Sequence, residues 1–326
     1  MTTAPDAITD SGLARMEQGS VSQVPILLVI FNRPETLQQV MTALRAVKPR
    51  HLYVAADGPR AGRADELEKT EAARKIATTV DWPCEVKTLL RDENMGCRRA
   101  VSSAIDWFFE NVEEGIILED DCIPDPSYFR FAEELLIRYR DDERVMAIAA
   151  KHFHGAAHRP PYSYFFSRYN HCWGWASWRR AWKHYDRDMA LWPTLRDSAW
   201  LLGIGNGSRP FQRYWTTIFD LAYAGKVDSW AYRWTFSCWA QSGLTILPAR
   251  NLVTNIGFGD DSTHTSDSGH IESRSMLETL DFPLEHPPYM VRDVDADAWT
   301  DSHVFGISRG TEMKSLVRKI LISPFR

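Results

Sequence analysis

Gly115-Ile116-Ile117-Leu118-Glu119-Asp120-Asp121-Cys122-Ile123-Pro124-Asp125-Pro126 runs three apolar residues into three consecutive carboxylates, then into a turn marked by two prolines. A short apolar run bounded by breakers reads as a buried strand. In an open α/β sheet, ligands bind outside the carboxyl ends of the strands. Glu119, Asp120 and Asp121 therefore stand where a ligand belongs. Carboxylates crowded against their own repulsion call for a cation, and hard oxygen donors suit Mg²⁺ or Mn²⁺. A solvated acidic turn is the plainer account of such a triplet; the strand-end position and the flanking helix favour metal.

The surrounding chain alternates strands and helices. Val24 to Phe31 (VPILLVIF) is a near-continuous apolar run, as expected of a strand buried on both faces. Pro34 is placed to open a helix in which Leu37, Val40, Met41, Leu44 and Val47 recur at helical spacing. His51 to Ala56 predicts a second strand, Ala64 to Thr79 a charged helix, and Cys84 to Leu90 a third strand. Cys97 to Glu110 reads as a helix, Gly115 to Glu119 as the fourth strand, Pro126 to Arg140 as a helix and Val145 to Ala149 as a strand. This rhythm predicts an α/β fold with a mostly parallel, Rossmann-like sheet flanked by helices and joined by right-handed crossovers.

Composition narrows the function. With 44% hydrophobic residues and a net charge of −5, the 326-residue chain can bury a full core and carries no basic field for nucleic acid. Cys84, Cys97, Cys122, Cys172 and Cys238 are odd in number and lack CxxC pairs, which argues against a zinc site or disulfide framework and for a reducing compartment. No run reaches the roughly 18 apolar residues of a membrane span, and the N-terminus lacks a signal-peptide pattern. A cytoplasmic protein with a disordered stretch over 1–22 is expected.

Neither GxGxxG after the first strand nor GxxxxGK[ST] occurs anywhere. What recurs at strand ends is polar: Asn32 and Arg33, Asp57, Arg91 and Asn94, then Glu119 to Asp121. Asp57 suits a base N–H or a ribose hydroxyl. Arg33 and Arg91 suit a base face or a phosphate. Each alone reads as a turn residue or surface charge; their convergence on one rim describes a nucleotide site without a glycine loop.

A strand ending in FNRP, a second ending in ADGPR, an NMGC turn, and ILEDDC before a proline-rich turn and an aromatic helix together resemble bacterial family-2-like glycosyltransferases of the GT-A fold, which use nucleoside-diphosphate sugars. The acidic element is similar to that of the N-acetylglucosaminyltransferase that begins complex N-glycans. The likeness continues through His171-Cys172-Trp173-Gly174-Trp175-Ala176-Ser177-Trp178 and Asn251-Leu252-Val253-Thr254-Asn255-Ile256-Gly257-Phe258, over roughly residues 24 to 265. It implies a DXD-type site in which Asp121 binds Mn²⁺ or Mg²⁺ and Asp120 holds ribose or a bridging water, with Glu119 beside them. It implies that Asp57 and the Asn94–Gly96 turn contact the nucleoside of a donor such as a UDP-sugar. Thr263-His264-Thr265 looks like part of a loop closing over the donor, with His264 a further ligand to metal or pyrophosphate; a lone loop histidine is also commonly just solvated.

An inverting transfer needs a carboxylate to take the acceptor's proton. Val227 to Phe236 is where the family resemblance places it, typically as Trp-Asp-Tyr, but position 231 here is alanine, between Trp230 and Tyr232. Three readings follow: a base-deleted variant made to trap substrates, a naturally binding-only relative, or Asp228 as base one turn earlier. The alanine has no packing reason visible in the sequence, which favours the first. Trp175, Trp178 and Trp182 fall at i, i+3 and i+7, a shared helix face. Trp173, Trp175 and Tyr232 are the expected walls of the acceptor pocket. Arg179, Arg180 and Lys183 read as a solvated face or as contacts to an acidic acceptor.

The expected organisation is a disordered 1–22, a donor-binding half over 23–150, an acceptor-binding and catalytic half over 151–303, and a basic amphipathic tail over 304–326. The tail suits an anionic membrane at its inner face, as a lipid-linked acceptor would require, or docking on the protein itself or a partner subunit. Glycans and protein acceptors are the other expected partners, and nucleic acid is not. The runner-up is a non-catalytic nucleotide- or glycan-binding protein on the same fold.

Overall fold

The computed structural model describes residues 22–257 and 276–307. β1 (Ile26–Ile30), α1 (Pro34–Val47), β2 (His51–Ala56), α2 (Ala64–Thr78), β3 (Glu85–Leu90), α3 (Cys97–Asn111) and β4 (Glu114–Glu119) follow one another as the alternating runs predict. Leu27 and Leu28 point to opposite faces of β1 and both are fully buried, so helices cover the sheet on each side. β1 pairs in parallel with β2 and β4, and β2 with β3. On α1 the residues at helical spacing, Leu37, Val40, Met41 and Leu44, are the buried ones.

After β4 the chain forms β5 (Cys122–Pro124), α4 (Pro126–Arg138), β6 (Val145–Ala149), β7 (Tyr164–Ser167) and β8 (Trp175–Trp178). Then come α5 (Arg179–Trp182), α6 (Trp192–Arg196), α7 (Trp200–Ile204), α8 (Arg209–Tyr223) and α9 (Ala231–Ala240). The described elements finish with β9 (Leu244–Pro248), β10 (Val253–Asn255) and α10 (Val294–His303). One sheet of eight strands runs β3-β2-β1-β4-β8-β6-β9-β7, and β5 pairs separately with β10. Only β7 and β8 run against their neighbours. The mostly parallel, Rossmann-like α/β sheet expected from the sequence is therefore present, with two antiparallel strands in its second half.

The tryptophan spacing misled. Trp175 to Trp178 is a strand, not the start of a helix, wedged between β4 and β6 with Ile117 opposite Trp175 and Glu114 opposite Trp178. Main-chain pairing on both edges outweighs a local helical period. Trp178 enters the layer under α4, where its indole N–H donates to the Leu136 carbonyl at 3.1 Å. Trp175 enters the opposite layer and stacks on Trp230. That second layer, between the sheet and α3, α8 and α9, also buries Trp182, Trp192, Trp215, Trp234 and Trp239.

Arg179 and Arg180 are structural. Arg179 bonds the Phe109 carbonyl and Glu113, while Arg180 donates to the Val145 and Tyr139 carbonyls at 2.9 and 2.7 Å. The five cysteines are all free. Among the described residues no helix is long and apolar enough to cross a membrane. The 1–21 segment and the basic tail from 308 onward lie outside the described residues.

Candidate functional site

Register brings four strand ends to one rim. Ile30 stands level with Ala56, Ala56 with Leu90, and Val29 with Glu119. The residues that follow these strands therefore emerge side by side: the half-buried Asn32 with Arg33, then Asp57, Arg91 to Gly96, and Glu119 to Asp121.

Arg33 joins the first strand end to the last. Its Nη1 donates to Asp121 Oδ2 at 2.7 Å and lies 3.7 Å from Asp120 Oδ1. Asp120 Oδ2 accepts the Phe31 backbone N–H at 2.9 Å. Burial pushes Glu119 up to about 8, with the Asp121 and Asp120 charges adding to it. Burial likewise pushes Asp120 up to about 7, while the Arg33 guanidinium pulls it down. On Arg33 burial works to lower the pKa, but the three carboxylates overcome it and hold it above its usual value. Three carboxylates thus face one guanidinium.

The β2 and β3 ends are stitched to each other. Asp57 accepts the Met95 N–H with both oxygens, at 3.0 and 3.1 Å, and burial still raises its pKa. Asn94 Nδ2 donates to the Gly58 carbonyl at 2.9 Å, and its Oδ1 accepts from Gly96 N at 3.2 Å. A Cβ on Gly58 would stand 2.5 Å from Glu93 backbone, so only glycine permits the approach. Arg91 Nη2 donates to Ser103 Oγ at 2.8 Å, and burial lowers its pKa.

Asp228 comes to this rim from far along the chain. Its Oδ2 lies 2.9 Å from where a Gly96 Cβ would be, its Oδ1 lies 3.8 Å from Arg98 Nε, and its side chain is 59% exposed. Burial, then the charges of Glu119, Asp228 and Asp57, raise the Cys97 thiol well above its ordinary value, so all three carboxylates are felt at the start of α3.

Ala231 is the first residue of α9 and is 4% exposed within the aromatic layer. Trp230, its neighbour in sequence, stacks on Trp175 in the same layer. Trp175 and Tyr232 are 2% and 1% exposed, so both are core side chains here. Trp173 sits beyond the end of β6, packed on Phe153 with the Lys151 ammonium 5.4 Å above it. His264 and the rest of the expected donor loop from 258 to 265 lie outside the described residues.

Sequence reasoning assigned no role to two groups beside the rim. Asn255 Nδ2 donates to Asp121 Oδ1 at 3.2 Å, and its Asn-x-Gly pattern was the available turn signal. Past β6, Lys151, His152, His154 and His171 are all buried. His152 Nδ1 donates to the Pro248 carbonyl at 2.7 Å, and His154 Nε2 to that of Ala296 at 2.9 Å. Burial pushes these imidazoles down to about 3 and about 4. Two open grooves, of about 620 and 350 Å³, lie around Trp182 and Lys183 and around Arg180 and His184; Arg179, Arg180 and Lys183 line them, and none of the strand-end residues does.

Among the described residues no three His, Cys, Asp or Glu side chains are gathered as a metal cage. The two Asp121 oxygens and Asp120 Oδ2 already accept hydrogen bonds, from Arg33, Asn255 and the Phe31 N–H.

No family model matches the chain, and no curated protein matches it. Among solved structures it is similar to a cytidylyltransferase from Leptospira borgpetersenii serovar Hardjo-bovis (strain JB197), with 12% identity and a TM-score of 0.32 over 54% of this chain and 71% of that one. A likeness of that size bears on neither the fold nor the activity of this chain.

Proposed function

We propose that the rim binds a nucleoside-diphosphate sugar and that the chain is a GT-A-type glycosyltransferase acting on a glycan, lipid-linked or protein acceptor. The observation that carries this reading is the convergence of Arg33, Asp57, the Asn94–Gly96 turn and the Glu119–Asp121 carboxylates at four adjacent parallel strand ends. Asp57 and the turn offer hydrogen-bond partners for a nucleoside. Arg33 and Arg91 offer positive charge to a diphosphate. A Mn²⁺ or Mg²⁺ ion held by Asp121, with Asp120 beside it and His264 as a further donor, supplies Lewis-acid stabilisation to the departing diphosphate when bound.

An inverting transfer also requires that the acceptor hydroxyl lose its proton. Asp228, more than half exposed beside Gly96, is an exposed carboxylate at the rim that could take it. The first turn of α9 contains no acidic residue, and Ala231 stands where the resemblance expects aspartate. That absence favours a second reading, a non-catalytic nucleotide- or glycan-binding protein.

Calorimetry with UDP, GDP, dTDP and CDP, in Mn²⁺ and in chelator, tests the first step. Metal-dependent binding of one nucleotide supports the donor assignment; no binding of any nucleotide removes it. Transfer assays on Asp228→Asn and Ala231→Asp then separate the two readings. Loss in the first variant makes Asp228 the base. A gain of about a hundredfold in the second, the scale of a positioned base, marks a deleted one. No turnover in any form leaves the binding protein.

A further inference from the structure

We infer that the Arg33 guanidinium holds the seat on Asp121 that a divalent cation would take, and that a nucleoside diphosphate binds the rim against Arg33 without needing metal. The inference rests on the reading of the rim as a nucleotide site and departs from that reading on the metal.

The protein already serves the carboxylates. Asp121 Oδ2 accepts from Arg33 Nη1 at 2.7 Å, and Asp121 Oδ1 accepts from Asn255 Nδ2 at 3.2 Å. Asp120 Oδ2 accepts the Phe31 N–H at 2.9 Å, and its Oδ1 lies 3.7 Å from Arg33 Nη1. Asn255 is fixed in this orientation. Its Oδ1 accepts the Gly257 N–H at 2.8 Å, and a backbone N–H can only donate, so the NH₂ must face Asp121. β10 pairs with β5 and sets Asn255 opposite Cys122, while the Ile256 N–H donates to the Asp121 carbonyl at 2.8 Å.

Gly257 closes over the ion pair. A Cβ there would stand 2.2 Å from Asp121 Oδ2 and 3.1 Å from Arg33 Nη1. Mg²⁺ demands about six oxygen ligands at about 2.1 Å. A cation therefore reaches Asp121 Oδ2 only by displacing Arg33 and moving the 255–257 segment.

Arg33 suits the diphosphate in the cation's stead. It is the N-cap of the 14-residue α1, so its charge adds to the positive end of that helix. Its side chain is partly exposed, and the guanidinium fork matches phosphate oxygens. Arg91 brings a second positive charge to the rim from the β3 end. In nucleotide binding Asp121 then serves to aim Arg33.

Calorimetry of the full chain with UDP, GDP, dTDP and CDP, in Mn²⁺ and in chelator, tests this, with each matching nucleoside titrated beside it. The nucleotide that binds should do so with the same affinity in both buffers. Arg33→Met should weaken it about tenfold in chelator, the loss of one charged hydrogen-bonding group, and leave the nucleoside's affinity unchanged. Arg33→Lys keeps the charge without the fork and should lose less; it also stands in should Arg33→Met not fold. Tighter wild-type binding in Mn²⁺ than in chelator overturns the inference and leaves the nucleotide reading intact. So does an Arg33→Met protein that keeps wild-type affinity in chelator, or one that loses nucleotide and nucleoside equally, as a packing defect would. A wild-type chain that binds no nucleotide in either buffer overturns both.

Discussion

Arg33 Nη1 and Asp121 Oδ2 meet at 2.7 Å and tie the start of α1 to the end of β4. Arg33 sets its charge against Asp120 and Asp121, and the charge of Glu119 reaches it as well. The contact couples the geometry of two strand ends to the electrostatics of the rim. Removing either partner leaves uncompensated charge in a site with little water to screen it.

Arg33→Met should therefore destabilise the fold by about 2 kcal/mol, below the 3–5 of a fully buried pair because the Arg33 side chain retains 21% exposure. The urea midpoint measured in chelator checks this. Any nucleotide affinity should fall with it, and an unchanged midpoint would show that solvent already screens the pair.

Gly96 has φ 75° and ψ 157°, a region essentially reserved for glycine. A Cβ there would also press on Asp228 Oδ2 at 2.9 Å. Gly96→Ala should cost about 2 kcal/mol. Gly62 serves as the control: it has φ 78° but nothing within 4 Å of a built Cβ. Thermal melts of the two alanine variants should differ, with Gly96→Ala the less stable.

His152 and His154 give the protein an acid-sensitive clamp. Burial depresses both below the ordinary 6.5, to about 3 and about 4, and His154 holds α10 through the Ala296 carbonyl. A depressed imidazole contributes stability that is present above the unfolded value and lost as pH falls toward the folded one. Denaturant midpoints should thus drop between pH 6.5 and about 4. A His152→Gln/His154→Gln protein should be weaker at neutral pH but show a flatter profile over that window.

Glu119 works in the opposite sense. Its pKa is raised from 4.5 to about 8, by burial first and then by Asp121 and Asp120. A carboxyl with a raised folded value contributes stability that is present below 4.5 and lost as pH rises through about 8. In chelator, Glu119→Gln should gain on the wild type as pH climbs through this range. Parallel denaturation of the two proteins at pH 5 and above 8 measures it, and a constant difference would show that Glu119 does not take up the proton in this range.

By itself the sequence determined the order and kind of the helices and sheet strands from β1 to β6, because each is a local matter of apolar period, prolines and turn residues; β5, read from the sequence as a proline-marked turn, became a strand by pairing with the distant β10. Pro34 opens α1, Val145–Ala149 is a strand, and the Glu119–Asp121 carboxylates stand at a strand end as their position after an apolar run requires. Only the tertiary structure decided what crosses long stretches of chain. β8 became a strand because β4 and β6 offered it two edges, which sent Trp175 and Trp178 to opposite layers. Asn255 reached Asp121 from 134 residues away, and Asp228 came to rest beside Gly96. Such meetings depend on sheet pairing and close packing between distant segments, and no periodicity within either segment records them.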